Sequence, residues 1–138
     1  MKELLIGLDM GTQGVRAVAV DSKGDVMAMQ AKNYDQINLA EEPYKEQSAF
    51  NWKDTAFRVL AALSDELRSK DILSDKVVIA VDGTSGTIVP IDAHGNPLTN
   101  GLMYNNPLRR IRLLDCLRYN LSGGQTYMLF RKHPVDDP

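Results

Sequence analysis

The sequence has 138 residues and a formal net charge of −2, with 43% hydrophobic and 25% charged residues. This composition indicates a folded domain rather than a disordered chain, and the slightly acidic balance argues against a nucleic-acid-binding surface. The single cysteine excludes an internal disulfide, and no apolar run approaches the ~18 residues of a membrane-spanning helix. We therefore expect a cytoplasmic domain that has neither nucleic acid nor a membrane as a partner.

The chain opens with two apolar stretches on either side of a glycine-rich turn. Residues 4–8 predict a strand that ends at Asp9, and residues 15–20 predict a second strand after the turn. Glycines permit left-handed φ angles and close backbone approach, so successive amides of the turn can point at one anion. Asp9 can hold Mg²⁺ through water molecules. We interpret the stretch as a phosphate-binding hairpin with a magnesium ion at Asp9, and an ordinary hairpin with a solvated aspartate is the alternative.

A third strand and a helix follow. Val26–Ala31 predicts the strand that completes a meander, and Asn33–Gln47 is polar and predicts a loop. Apolar residues then recur at helical spacing from Trp52 to about Ser69, with Asn51 as the predicted N-cap.

The next informative stretch is a strand followed by a polar loop. Lys76–Val81 is nearly continuously apolar, which predicts a strand buried on both faces and, with the helix before it, a mixed α/β sheet. The loop Asp82–Thr87 carries small hydroxyls and glycines where ligands of open α/β sheets bind, and a tight structural turn is the alternative. Ile88–Asp92 predicts another strand. His94 lies in the turn after it, and we interpret His94 as an exposed turn residue rather than a catalytic one.

The first turn resembles a known phosphate motif. Residues 9–16, DMGTQGVR, resemble the first phosphate motif of the actin-like ATPase and sugar kinase superfamily, and most closely that of the FGGY family of carbohydrate kinases. The resemblance implies that Asp9 lies near the metal ion. The phosphate-binding residues that it implies are Gly11, Thr12, Gln13, Gly14 and Arg16. Many members have a small hydroxyl residue in place of Gly14, so this chain lacks one possible side-chain donor.

The later segments also follow the order of that family. A buried strand leads into a sugar-contacting loop, and a further strand, a glycine turn and a short segment ending in an aromatic residue come next. The substrate-binding residues that the resemblance implies are Asp82, Gly83, Thr84, Ser85, Tyr104 and Asn105. The Asp-Gly-Thr-Ser version of the loop suggests a pentulose or a related polyol. Glu46-Gln47 followed by Trp52 also matches the family, and we favour a core position for Trp52 over one that lines the sugar pocket.

The family pattern is lost after Asn106, because Asn106 and Leu108 occupy the usual Asp and Arg positions. The charge balance changes at the same point, from 15 acidic and 10 basic residues before Pro107 to 3 acidic and 6 basic residues from it onward. We predict an incomplete N-terminal kinase-like domain over residues 1–106. Residues 107–138 are predicted to be an atypical tail, non-native or frame-shifted, with a short amphipathic helix from Leu108 to Leu117.

The resemblance implies an α/β domain of ribonuclease H-like or actin-like fold, with a mixed sheet formed by a three-strand meander, a helix and further strands. It implies the N-terminal part of a kinase that uses ATP and Mg²⁺ to phosphorylate a sugar or polyol hydroxyl. In the family a C-terminal domain supplies the catalytic base, so we assign no catalytic residue here. We expect this chain alone to be inactive and to self-associate through the surface that the missing domain would cover. A non-enzymatic actin-like nucleotide-binding module and an orphan fragment are the alternatives.

Overall fold

The computed structural model describes residues 3–72, 74–108 and 127–128. Their elements in chain order are β1 (Glu3–Met10), β2 (Gly14–Asp21), β3 (Val26–Asn33), β4 (Glu46–Gln47), α1 (Ala49–Ser69), β5 (Lys76–Gly83), β6 (Pro90–Ile91), β7 (Gly101–Leu102) and β8 (Tyr127–Met128). The chain divides into two compact units, one of Met1–Asp35 with Asn51–Gly83 and one of Gln36–Phe50 with Thr84–Pro138.

The first unit contains a four-stranded mixed sheet with the strand order β3-β2-β1-β5. β1, β2 and β3 form an antiparallel meander, while β5 runs parallel to β1. A parallel neighbour requires a crossover connection, and α1 supplies it between the meander and β5. These findings confirm the predicted mixed α/β sheet of meander, helix and further strand.

The core of the first unit lies between one face of this sheet and α1. The side chains on that sheet face are small or branched, and the helix contributes residues at helical spacing. The buried core residues of the strands and helix are Leu4, Leu8, Val15, Ala17, Ala19, Ala28, Ala56, Val59, Leu63 and Leu67. Trp52 is half-buried and packs against this cluster, which supports its interpretation as a core residue at the start of the helix.

Polar bonds also connect the end of α1 to β3. The Gln30 side-chain amide donates to the Glu66 carboxylate at 2.7 Å, and the Lys70 ammonium donates to the same carboxylate at 2.6 Å. Lys70 also donates to the Met27 carbonyl at 2.9 Å. The hydrogen bond from Lys70, and then the one from Gln30, hold the pKa of the Glu66 carboxyl below its ordinary value.

Two predicted boundaries differ from the structure. The third strand continues to Asn33 rather than ending at Ala31. The helix begins at Ala49, so the predicted N-cap at Asn51 is wrong and Ser48 occupies the position before the first helical residue. Asn51 lies in the first turn, where its side-chain oxygen accepts a hydrogen bond from Thr55 at 3.4 Å.

The prediction that β5 is buried on both faces is wrong. All eight of its residues are exposed, and Val81 is 62% exposed. β5 is an edge strand of the four-stranded sheet, with β1 on one side. A run of apolar residues indicates a strand that can be covered on both faces, but the cover depends on neighbouring elements that the run does not encode.

The second unit contains two short antiparallel pairs, β4 with β7 and β6 with β8. The predicted strand Ile88–Asp92 is reduced to β6, with Ile88 bonded separately to Leu102 through two backbone hydrogen bonds of 2.9 and 2.8 Å. Asn106 is buried and donates from its side chain to the Lys45 carbonyl at 2.9 Å. His94 is exposed in a turn, as predicted.

The predicted helix from Leu108 to Leu117 falls, after Leu108, outside the described residues. β8 lies beyond Asn106 and pairs with β6. Within the described ranges, no helix is both long and apolar enough to cross a membrane.

Candidate functional site

Three charged side chains lie side by side at one end of the sheet in the first unit. Asp9 on β1 is the register partner of Arg16 on β2 and of Asp82 on β5. Partners across a sheet share one face, and residues at odd positions of β1 point away from the face of Leu4 and Leu8 that packs on α1. We call Arg16, Asp9 and Asp82 the charged row.

The Arg16 guanidinium lies 3.4 Å from the Asp9 carboxylate, and the two side chains are 72% and 52% exposed. An exposed ion pair of this kind contributes about 0–1 kcal/mol, so Arg16 can turn toward an incoming anion at small cost. The Asp82 carboxylate accepts a hydrogen bond from the Gly83 amide at 2.9 Å. The row therefore presents one cationic group and two carboxylates at the strand ends.

The turn beside this row leaves backbone donors available. The Gln13 carbonyl accepts from the Tyr34 amide at 2.9 Å, which ties the turn to the end of β3. Among the turn and loop hydrogen bonds of the described residues, the amides of Gly11 and Gln13 donate to no backbone carbonyl. Thr12 lies between them and is partly buried. Amides without an internal acceptor can bind an anion.

The two glycines of the turn serve different purposes, and neither uses the left-handed φ angles that glycine permits. A Cβ on Gly14 would lie 2.3 Å from the Lys32 carbonyl oxygen, so β3 leaves no room for a side chain there. A Cβ on Gly11 would meet nothing closer than 3.5 Å, but it would lie 3.9 and 4.0 Å from the two Asp9 carboxylate oxygens. Gly11 therefore keeps the space beside that carboxylate open.

The predicted substrate-binding residues are divided between the two units. Asp82 and Gly83 end β5 in the first unit, whereas Thr84 and Ser85 begin the next segment of the second unit.

Tyr104 and Asn105 also belong to the second unit, where they are the central residues of a turn. The turn is closed by the Asn106 amide, which donates to the Met103 carbonyl at 2.9 Å. Both central residues are exposed, Tyr104 by 50%. The structure thus brings Asp9, Arg16 and Asp82 into one row of the first unit. Tyr104 and Asn105 lie together in one turn of the second unit.

Two residues with relevant chemistry were missed by the sequence interpretation. Tyr34 is buried, and burial raises the pKa of its phenol, with the negative charge of Asp9 raising it further. The Thr87 hydroxyl is buried without a hydrogen-bond partner among the described residues, which is costly unless a water or a ligand bonds to it. Thr87 could have been singled out from the sequence by its place in the polar loop after β5. No feature of the sequence indicated Tyr34, which stands at the start of a long polar loop.

The donor set at Asp9 fits magnesium. In the part of the chain that the structure describes, no three His, Cys, Asp or Glu side chains converge as a metal site. Mg²⁺ does not require such a cage, because it commonly binds through one or two carboxylates together with waters and substrate phosphates. Asp9, with Asp82 as its neighbour, provides that number of carboxylates.

Comparison with known proteins identifies relatives of this chain. The model for the N-terminal domain of the FGGY family of carbohydrate kinases matches residues 4–130. Xylulose kinase from Staphylococcus epidermidis is 28% identical over 116 residues, which cover 81% of this chain and 22% of that protein. The chain thus spans about a fifth of the length of the curated relatives that it matches.

Solved structures agree on the fold. Gluconate kinase from Lactobacillus acidophilus matches with a TM-score of 0.67 at 17% identity, covering 89% of this chain and 24% of that one. Xylulose kinase from Rhodospirillum rubrum matches with a TM-score of 0.67 at 23% identity, covering 84% and 24%. The fold of this chain is thus the actin-like, ribonuclease H-like fold of these kinases. The family match continues past Asn106 to residue 130, and the boundary at Asn106 and the atypical tail stay predictions.

Proposed function

Because this chain belongs to the FGGY family of carbohydrate kinases, we propose that it is the N-terminal part of an enzyme that transfers a phosphoryl group from ATP to a sugar or polyol hydroxyl. The observation that carries the proposal is the charged row beside a turn with available amides. Phosphoryl transfer depends mainly on positioning and on neutralising charge, and these groups are suited to both tasks.

The phosphate-binding role falls to the turn and to Arg16. The amides of Gly11 and Gln13 would donate to phosphate oxygens, with Thr12 as a further phosphate contact, and Gly14 would hold the turn against β3. Arg16 would leave its weak pair with Asp9 and bind phosphate through its planar guanidinium. Asp9 would hold Mg²⁺ through waters, and the bound cation would neutralise phosphate charge.

We propose that the substrate is bound by residues at and just after the C-terminal end of β5, together with residues of the Tyr104–Asn105 turn. Asp82 would accept a hydrogen bond from a substrate hydroxyl. The other proposed contacts are Gly83, Thr84, Ser85, Tyr104 and Asn105. A pentulose is the favoured substrate class, because the relatives at 28% and 29% identity are named xylulose kinases. Their names support this choice.

We assign no catalytic base to this chain. A kinase needs a group that takes the proton of the attacking hydroxyl, and Asp9 is committed to the metal in this scheme. We propose that a C-terminal domain supplies this base, that the 138-residue chain alone has no kinase activity, and that the enzyme works in the cytoplasm, where ATP is available. A coupled assay with MgATP and xylulose tests the inactivity, and turnover by the chain alone would contradict it.

The phosphate-site proposal predicts that Asp9→Asn abolishes the gain in ATP affinity that Mg²⁺ gives. The reason is that an amide binds the hydrated cation more weakly than a carboxylate does. Isothermal titration of the chain with ATP, with and without Mg²⁺, measures this gain. We expect weak binding, since a single hairpin contacts only part of the nucleotide.

The matched control is Asp25→Asn, which removes an exposed carboxylate in the β2–β3 turn while leaving the charged row intact. It should bind MgATP as the wild type does. Equal Mg²⁺ dependence in Asp9→Asn and wild type would contradict the assignment. Saturable binding of xylulose would separate a sugar kinase from a non-enzymatic actin-like nucleotide-binding module, which has no need of a sugar site.

A further inference from the structure

The end of β3 holds the turn between β1 and β2 at two points. The Tyr34 amide donates to the Gln13 carbonyl at 2.9 Å. Because Gly14 pairs with Asn33 in the β2–β3 register, this bond extends that register by one pair into the turn. The Lys32 carbonyl oxygen also lies against Gly14, where it leaves no room for a side chain. The last residue of the turn is therefore held in place by β3.

The side chain of Tyr34 anchors this end of β3 in the core. Tyr34 is 5% exposed and belongs to the same buried cluster as Val15. Side chains alternate across a strand, and Tyr34 follows the buried Ala28 by an even number of residues, so its ring enters the face that α1 covers. A tyrosine ring buries a large area and has few rotatable bonds, so it can fix the adjacent backbone at a small cost in entropy.

The far end of the ring lies near the Asp9 carboxylate. Burial has the largest effect on the phenol and raises the pKa of Tyr34, and the negative charge of Asp9 raises it further. A charge has this effect only on a group close to it. Tyr34 thus bonds to the turn through its amide and approaches the charged row through its ring.

On the basis of the phosphate and magnesium site proposed above, we propose that Tyr34 is a positioning residue for that site. It would touch neither the phosphate nor the metal ion. Its amide and its buried ring would instead hold the available amides of the turn and the Asp9 carboxylate in one arrangement before the ligand arrives. A site that is already ordered loses less conformational entropy when it binds, so loss of the ring should weaken binding.

Calorimetric titration of the folded 138-residue chain with MgATP tests this role. Tyr34→Leu should weaken binding by about tenfold, the size of effect that follows the loss of a residue supporting a binding site. Tyr34→Phe keeps both the ring and the amide, and it should bind as the wild type does. If Tyr34→Leu does not melt cooperatively, Tyr34→Met replaces it, because the longer and flexible side chain fills more of the space.

Leu67→Val is the matched control for a loss of core packing. Leu67 is 6% exposed in the same cluster, but it lies beside Glu66, at the end of α1 that is joined to Gln30 and Met27 of β3. The turn lies at the other end of β3, next to Tyr34. Leu67→Val should lower the thermal midpoint, as Tyr34→Leu does, and retain the wild-type affinity for MgATP.

Fluorine NMR of the chain labelled with fluorotyrosine gives a readout that core packing alone would not move. The Tyr34 signal is assigned by its absence from Tyr34→Phe. It should shift when MgATP binds, and it should also shift in ligand-free Asp9→Asn, because the charge beside the ring is then removed. Asp25→Asn removes a carboxylate from the β2–β3 turn and should leave the signal unchanged.

Failure of the site and failure of the positioning role can be told apart. A wild type that does not bind MgATP would overturn both. A wild type that binds, with Tyr34→Leu binding as tightly, would overturn the role of Tyr34 alone. Equal losses of affinity in Tyr34→Leu and Leu67→Val would overturn it as well, because the effect would then belong to the core in general. So would a Tyr34 signal that does not move in Asp9→Asn.

Discussion

At the scale of single residues, Gly11 and Gly14 show that two glycines of one turn can be required for different reasons. Gly14 has no room for a side chain, because the β3 backbone lies against it. Gly11 has room, but a side chain there would approach the Asp9 carboxylate. One glycine therefore serves packing, and the other keeps the proposed metal and phosphate site open.

This difference predicts opposite outcomes for two alanine variants. Gly14→Ala should lower the free energy of unfolding by about 1–3 kcal/mol, because a methyl group cannot fit against the Lys32 carbonyl. Gly11→Ala should change it by no more than about 0.5 kcal/mol, because the added methyl makes only ordinary contacts. Urea denaturation measures both values.

The two variants should rank in the opposite order when MgATP binding, rather than stability, is measured. Gly11→Ala should weaken MgATP binding in calorimetry, whereas folded Gly14→Ala should retain most of it. Equal stability losses would show that the close approach to β3 is not maintained, and unchanged binding by Gly11→Ala would argue against a phosphate site at the turn.

At the scale of elements, the join between α1 and β3 depends on an ionised Glu66. Its carboxyl has a pKa below the ordinary value, so the stabilisation it gives is present above the unfolded-state pKa and is lost as the pH falls through the folded-state pKa. Glu66→Gln should therefore be less stable than the wild type at neutral pH, with the difference shrinking in acid. Urea midpoints from neutral to acidic pH measure this difference.

Asp65→Asn is the control for this prediction, since Asp65 is exposed on the same helix and its pair with Arg68 is longer, at 3.7 Å. It should change the midpoint little at any pH. A constant gap between Glu66→Gln and wild type across the pH range would contradict the assigned role of the charge.

The sequence predicts which strands and helix the first unit contains better than it predicts which elements lie beside each of them. Apolar spacing locates β1, β2, β3, α1 and β5 because each element's own side chains create the pattern. The exposure of β5 does not follow from that pattern, since it depends on which strand or helix lies beside it. The helix start was missed because both Ser48 and Asn51 are suitable caps and only the backbone distinguishes them.

The candidate site also has one part that the sequence predicts and another that depends on the fold. The turn from Asp9 to Arg16 could be predicted because its chemistry is contiguous in sequence. The proximity of Asp9 to Asp82 requires the parallel register of β1 with β5, and the effect of Asp9 on Tyr34 requires the fold of the meander. Neither is encoded by a local motif.

At the scale of the whole molecule, the parallel pairing of β1 with β5 has a consequence for synthesis on the ribosome. Glu3 pairs with Lys76, so β1 emerges long before the strand that completes its second side. At translation rates of roughly 5–20 residues per second, that side of β1 waits roughly 4–15 seconds for its partner. Throughout this interval that edge of β1 is unpaired, and a chaperone or a neighbouring nascent chain can bind to it before β5 is synthesised.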